Sequence, residues 1–221
     1  MHKLSQNYRN DPSDPLPLKF RVEIDKVYIP TLKNLSVENP KILVVYSGGN
    51  AVGKSSLSTR IGNELGGLVL ENDAIKRTII KVFPGMDSSD ELNPLTWRYS
   101  MELYGRLNDL TLNGLVVRDG IIDWYYDRIL PIFENMGYKI FVVQFDISTD
   151  KAIEAIMKRG DLPTVKVETL LKQLDDHKIH QSRFRSRYNA DVVLSEDNLF
   201  NHTAVIEKLR EQISVFRASS S

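Results

Sequence analysis

The sequence predicts an α/β protein, a three-layer sandwich with helices on both faces of a five-stranded parallel sheet. Three observations predict it. Five short runs rich in Val and Ile recur between residues 42 and 194, most of them apolar at every position, as strands buried on both faces read. The stretches between them repeat their apolar residues at helical spacing. The chain has 221 residues, 42% of them hydrophobic, enough for the core of one large domain with an appendage. Strands alternating with helices make an open sheet with right-handed crossovers.

Residues 1–40 read as an N-terminal extension. The first 17 or so are polar and carry Pro12, Pro15 and Pro17, the composition of a flexible arm. In FRVEIDKVYIP, Phe20, Val22 and Ile24 alternate with Arg21 and Glu23, which predicts a short hairpin.

Residues 41–218 form the main body. Its strands are ILVVYS (42–47), LVLE (68–71), LVVRD (115–119), IFVVQF (140–145) and DVVL (191–194). Leu57, Ile61 and Leu65 mark the first helix, stopped by Gly66 and Gly67. Asn93 reads as a cap with Pro94 at the first helical position. Tyr99, Leu103, Leu107 and Leu110 continue that helix, and Gly114 stops it. Asp123 reads as the cap of WYYDRILPIFENM, which Pro131 kinks and Gly137 ends. Ile153, Ile156 and Met157 mark another helix, ended by Gly160. Residues 164–182 and 202–217 complete the helical set.

The formal net charge is zero, so the whole molecule offers no electrostatic argument for duplex DNA or an anionic membrane. There is no cysteine, which excludes a disulfide framework, a thiolate metal site and a thiol nucleophile. No run approaches the roughly 18 apolar residues of a membrane span. The polar, proline-broken first residues lack a signal-peptide core. The expectation is a soluble cytoplasmic protein.

The most informative stretch is GGNAVGKS: Gly48, Gly49, Asn50, Ala51, Val52, Gly53, Lys54 and Ser55, with Ser56 next. It fits G-x-x-x-x-G-K-[ST] in full and lies between an apolar strand and an amphipathic helix. Glycines let the backbone curl so that successive N–H groups point at phosphate oxygens. The helix behind presents its positive end to the same anion. Lys54 can reach the β- and γ-phosphates, and the Ser55 hydroxyl can ligate Mg²⁺.

This pattern is that of the P-loop NTPases, which the chain resembles. The guanine motif N-K-x-D, a strand ending in Asp-Glu and the L-S-G-G-Q signature are absent, which leaves the small kinase branch. LGGLVLENDAIKRTI resembles the stretch of polynucleotide-kinase-like and zeta-toxin-like kinases in which a strand ends in Asp and a basic helix follows. The resemblance covers roughly residues 41–194 and implies a strand order of 2-3-1-4-5. It implies ATP and Mg²⁺ as the bound groups.

Asp73 follows the second strand, on the side where strand ends meet the ligand crevice. A carboxylate there can orient an acceptor hydroxyl and take its proton; its other reading, like that of Asn72, is a helix cap. Polynucleotide kinases of this type carry Arg three residues after the Asp, whereas position 76 here is Lys and the arginine is Arg77. Lys76 and Arg77 either contact an anionic part of the acceptor or are surface charges. Asp119 ends the third strand and is the candidate to support Mg²⁺, with Asp123 as its alternate; a turn before Gly120 is the other reading of Asp119.

Between residues 158 and 188 stand eight basic and four acidic residues, and the resemblance implies a lid at about 159–188. Arg159 resembles the family arginine that contacts the transferred phosphate, and Arg183 and Arg187 are further candidates. If that run is helical, those two share a face and Arg185 points away. His177 and His180 have no third ligand nearby and read as a solvated helix face. SEDNLFN, after the fifth strand, is placed to border a base.

The expected function is an ATP-dependent phosphotransferase acting on a hydroxyl of a small-molecule acceptor. The alternatives are a nucleic-acid 5′-hydroxyl kinase and a nucleotide-binding regulatory module that hydrolyses slowly.

Overall fold

The computed structural model describes residues 15–32, 40–49, 52–86, 89–112, 114–160 and 167–219. The arm expected at the N-terminus lies mostly outside them. Contacts divide the described chain into two compact units. One takes residues within Met1–Lys33 and Glu71–Thr111, and the other takes those within Asn34–Leu70 and Leu112–Ser221.

The second unit is built on the sheet. β1 (Ile42–Ser47) is buried at every position. β3 (Leu115–Ile121) and β4 (Lys139–Asp146) pair with it on either side, both parallel. β2 (Leu68–Glu71) and β5 (Val192–Ser195) form the edges, giving the order β2-β3-β1-β4-β5. Order and direction agree with the sequence expectation.

Successive strand residues point to opposite faces, so Ile42, Val44 and Tyr46 face one way and Leu43 and Val45 the other. The first set packs with Leu57 and Ile61 of α2 (Lys54–Leu65) and with Val205, Ile206, Leu209 and Ile213 of α9 (His202–Ser219). α5 (Tyr126–Asn135) packs against β4 and buries Ile129, Leu130 and Phe133. Asp191 staples β4, β5 and α9 together. Its Oδ2 accepts from the Val142 N–H at 2.8 Å, and its Oδ1 accepts from the Gln212 amide at 2.9 Å. α6 (Thr149–Arg159) starts at Ser148, whose hydroxyl accepts from the Lys151 N–H. It is followed by α7 (Val167–Lys172) and α8 (Leu174–Arg185), where the sequence suggested one helix over 164–182.

The first unit is helical: α1 (Leu18–Tyr28), α3 (Asn72–Val82) and α4 (Ser89–Gly105). The hairpin expected over FRVEIDKVYIP is not formed; the stretch to Tyr28 belongs to α1, and Ile29 and Pro30 to a short 3-10 turn after it. Phe20, Ile24 and Tyr28, spaced by four, are buried, while Val22 of the alternating set is 38% exposed. Helical spacing buries the aromatics against α3 and α4: Phe20 meets Phe83 at 4.9 Å and Tyr28 meets Tyr99 edge-on at 5.9 Å. Polar ties hold the same helix. Arg106 forks onto the Asp25 carboxylate at 2.8 and 3.0 Å, and the Tyr99 hydroxyl donates to it at 2.8 Å. Burial works to raise the Asp25 pKa, but these donors and the Arg106 charge bring it below the ordinary value.

Two helix starts also differ from expectation. α4 begins at Ser89, so Pro94 lies inside it rather than at its first position. α5 begins at Tyr126, after a turn over residues 123–125, so Asp123 is not its cap. The Asp123 carboxylate is engaged at the glycine loop instead.

Candidate nucleotide and phosphate site

β1 delivers the chain into the glycine loop at Gly48. Gly48, Gly49 and Gly53 all have positive φ, at 90°, 45° and 89°. Asn50 and Ala51 lie outside the described residues. Gly48 must be glycine for a second reason: a Cβ there would overlap the Phe145 carbonyl oxygen and the Gln181 side chain. Gly53 sits in the left-handed region at the N-terminal boundary of α2, which starts at Lys54. Ser55 and Ser56 stand in the first helical turn, beside backbone N–H groups that have no intrahelical acceptor. The Lys54 ammonium donates to the Gly49 carbonyl across the loop and lies 5.8 Å from the centre of the Phe145 ring.

The loop is braced from below. The Tyr46 hydroxyl lies 2.9 Å from the Ser58 hydroxyl, which in turn donates to the Lys54 carbonyl at 3.0 Å. Burial pushes the Tyr46 phenol far above its ordinary pKa, helped by the nearby Asp119 charge.

A cavity of about 650 Å³ opens on this loop. Val52, Gly53, Lys54, Ser55 and Ser56 line it from the loop and the start of α2. Lys151, Glu154, Ala155 and Lys158 of α6 line a wall, joined by Ile147. Glu196, Leu199 and Phe200, from the stretch after β5, complete it. Phe200 is 74% exposed, an unusual place for an aromatic ring. Three residues of SEDNLFN therefore line this cavity.

Asp119 does not end its strand. β3 runs on to Ile121, and the register slips: Val44 pairs with Val117 but Tyr46 pairs with Ile121. The two extra residues make a bulge holding Arg118, Asp119 and Gly120, a device that re-aims side chains near sites. Arg118 is buried and donates to the Ile121 carbonyl at 3.1 Å, while Asp119 is half-exposed.

Among the described residues, Asp123 is an acidic group that hydrogen-bonds to the loop. Its Oδ2 accepts from the Gly48 N–H at 2.8 Å and lies 3.1 Å from His177 Nε2. This is why it does not cap α5. His177 is 5% exposed, so the solvated helix face expected for it is corrected to a buried one facing Asp123. His180, one turn on, stacks on Trp124 at 4.4 Å. The only sequence signal for this arrangement is the i, i+3 histidine pair, and nothing local names its partner.

Asp73 is the second residue of α3, with Glu71 at the N-cap, so the capping role is not its own. Arg159 closes α6, and its side chain lies outside the described set. Arg183 and Arg187 are exposed and do not line the cavity. α8 ends at Arg185, so they do not share a continuous helical face; Arg187 lies over the Tyr126 ring at 5.5 Å. Arg185 pairs with Asp146 at 3.0 Å and donates to the Phe145 carbonyl at 3.3 Å. No helix among the described residues is long and apolar enough to cross a membrane.

No protein-family model matches the chain, and no curated protein matches it. Solved structures do. A proposed kinase from Chloroflexus aurantiacus is 17% identical with a TM-score of 0.55, over 80% of this chain and 98% of that one. A protein of the PezAT toxin-antitoxin system of Streptococcus pneumoniae is 12% identical with a TM-score of 0.56, over 85% and 82%. The tunicamycin resistance protein of Deinococcus radiodurans is 17% identical with a TM-score of 0.51, over 79% and 95%. With the strand order and the glycine loop, these likenesses establish that the chain has the fold of the small P-loop kinases.

Proposed function

We propose that the chain is a phosphotransferase that moves the γ-phosphoryl group of Mg·ATP onto a hydroxyl of a small molecule. The observation that carries this reading is the cavity of about 650 Å³ ending on the first turn of α2. Its lining supplies both the anion-binding and the apolar groups that a nucleotide needs. It combines a helix N-terminus, Lys54 and two serine hydroxyls with Ile147, Ala155, Leu199 and the exposed Phe200 ring, which stands beside Gly53.

The residues present suit Mg·ATP. Mg²⁺ bound with the nucleotide supplies charge neutralisation of its phosphates. Ser55 is the hydroxyl proposed to hold it, and Asp119 in the β3 bulge the carboxylate that supports it through water. Among the described residues no three carboxylate or imidazole groups are gathered to hold a metal by themselves. That suits a metal that arrives with phosphate and keeps several water ligands.

In this reading the loop N–H groups and Lys54 position the phosphates and stabilise the charge that develops during transfer. Asp73, in the first turn after β2, orients the acceptor hydroxyl and accepts its proton. Arg159, Arg183 and Arg187 are the lid cations of the proposal. Exclusion of water by a lid favours transfer over hydrolysis.

The test is transfer of label from γ-labelled ATP with Mg²⁺ to a panel of nucleosides, sugars, other hydroxylated metabolites and 5′-hydroxyl oligonucleotides. Label on one small acceptor, lost in Lys54→Ala and in Asp73→Asn, is the expected result. Full transfer by Asp73→Asn removes its role as base. Label on oligonucleotides alone changes the acceptor class. Nucleotide binding without transfer to any acceptor leaves a regulatory module.

A further inference from the structure

Asp123 is 0% exposed, yet it carries a carboxylate. A group so far from water is tolerable only when donors satisfy it. Two donors reach its Oδ2: the Gly48 N–H at 2.8 Å and His177 Nε2 at 3.1 Å. The carboxylate oxygen accepts, so Nε2 carries the proton in this pairing. Oδ1 is buried and has no hydrogen-bond partner among the described residues, so the two bonds to Oδ2 are the direct support this carboxylate has there.

The donors come from different elements. Gly48 opens the phosphate loop, and His177 belongs to α8. The same helix face brings Gln181, one turn from His177, against Gly48, where a Cβ would overlap it. His180 of that face stacks on Trp124, the neighbour of Asp123. Arg185, two turns on from His177, donates to the Phe145 carbonyl, the atom that also crowds Gly48.

We propose that Asp123 and His177 are a positioning pair that ties α8 to the first glycine of the phosphate loop, so that seating α8 and gripping a nucleotide are one event. If α8 lifts away, Asp123 keeps only the loop N–H and is left under-supported in a dry site. The loop geometry and the seat of α8 therefore stabilise each other, and a ligand that fixes one favours the other. The part concerning nucleotide rests on the function proposed above; the tie itself does not.

Three variants separate a tie from simple packing. His177→Phe keeps the ring volume and removes the donor. His177→Gln keeps a donor. Asp123→Asn keeps the volume and removes the charge. Amide hydrogen exchange is followed in the nucleotide-free full chain over residues 46–57 and 174–185, and affinity for a non-hydrolysable ATP analogue with Mg²⁺ is titrated well below the melting temperature. Exchange in both segments is expected to rise together in His177→Phe and Asp123→Asn. Analogue affinity is expected to fall about tenfold in both, a change of ~1.4 kcal/mol, with His177→Gln recovering most of it.

Unchanged exchange over 46–57 in His177→Phe and Asp123→Asn overturns the tie, whether or not nucleotide binds. Raised exchange with unchanged affinity overturns the coupling to nucleotide. Raised exchange in the variants of a chain that binds no nucleotide retains the tie and rejects the nucleotide reading. Should His177→Phe fail to fold, the Asp123→Asn and His177→Gln arms decide between the same outcomes.

Discussion

The hydroxyls of Tyr46 and Ser58 meet at 2.9 Å beneath the glycine loop, joining the central strand to the first turns of α2. Ser58 gives its proton to the Lys54 carbonyl, so Tyr46 donates to Ser58. The two deletions are therefore unequal. Ser58→Ala strands a buried phenol and is expected to cost about 1–3 kcal/mol, whereas Tyr46→Phe removes one neutral bond and costs about 1 kcal/mol. Urea denaturation of the pair gives the order, and an equal or reversed order contradicts the donor assignment.

The buried tyrosines set an alkaline limit. Burial is the first cause raising Tyr28, Tyr46 and Tyr99 far above the ordinary value of 10.0, and it pushes Tyr138 up to about 12. An acid whose folded pKa is raised ionises first in the unfolded chain. Stability is then complete below pH 10 and declines as pH rises beyond it. Melting temperature between pH 8 and 11.5 is expected to be flat and then to fall, and Tyr46→Phe should shallow the fall. A decline beginning near pH 8 points to other groups.

Gly48→Ala and Gly137→Ala form a matched pair. Both positions have positive φ, at 90° and 81°, so both carry the left-handed penalty of about 1–2 kcal/mol. Only at Gly48 would the new methyl overlap backbone, at the Phe145 carbonyl; at Gly137 it meets nothing within 4 Å. Gly48→Ala should lose at least about 2 kcal/mol more than Gly137→Ala, through strain in a close-packed site. Similar losses by denaturation would show that the loop yields.

In the helical unit, Asp25 is held below its ordinary pKa despite burial, by Arg106 and Tyr99. A depressed carboxylate stabilises above its unfolded pKa of 3.8, and that stabilisation is lost as pH falls through the folded value. Asp25→Asn is expected to cost about 2 kcal/mol near neutral pH and to match wild type at the acid end. The chain has two tryptophans, Trp97 in this unit and Trp124 in the other. Trp97 fluorescence in a Trp124→Phe background reports the unit alone.

Phe200 tests the cavity. At 74% exposed it contributes little to folding, so Phe200→Ala should leave the melting temperature nearly unchanged. If the ring flanks a base, the variant loses about 0.5–1.5 kcal/mol of stacking and raises KM for ATP roughly two- to tenfold, with kcat retained. A fall in kcat at constant KM would place the ring elsewhere in the reaction.

Local pattern made several of these elements legible. Strand runs with both faces apolar, and a glycine motif between a strand and an amphipathic helix, depend on residues adjacent in the chain. Hence β1 and the start of α2 fall where GGNAVGKS and its flanks imply, and β2 falls on LVLE. The strand order came from family likeness and agrees with the structure. FRVEIDKVYIP shows where local pattern fails. Its alternation and its spacing of four are both present, and only the aromatic rings of Phe83, just past α3, and Tyr99 of α4 select the second.

The site divides in the same way. By itself the sequence determined that a glycine loop and a helix N-terminus follow the first strand, because loop curvature and helix polarity are properties of consecutive residues. Tertiary structure alone decided that Asp123 reaches that loop. Asp119 lies in a two-residue bulge, and Asp123 meets Gly48 and His177, 75 and 54 residues away along the chain. A buried carboxylate takes its donors from whichever elements the fold brings near, and no local spacing records that.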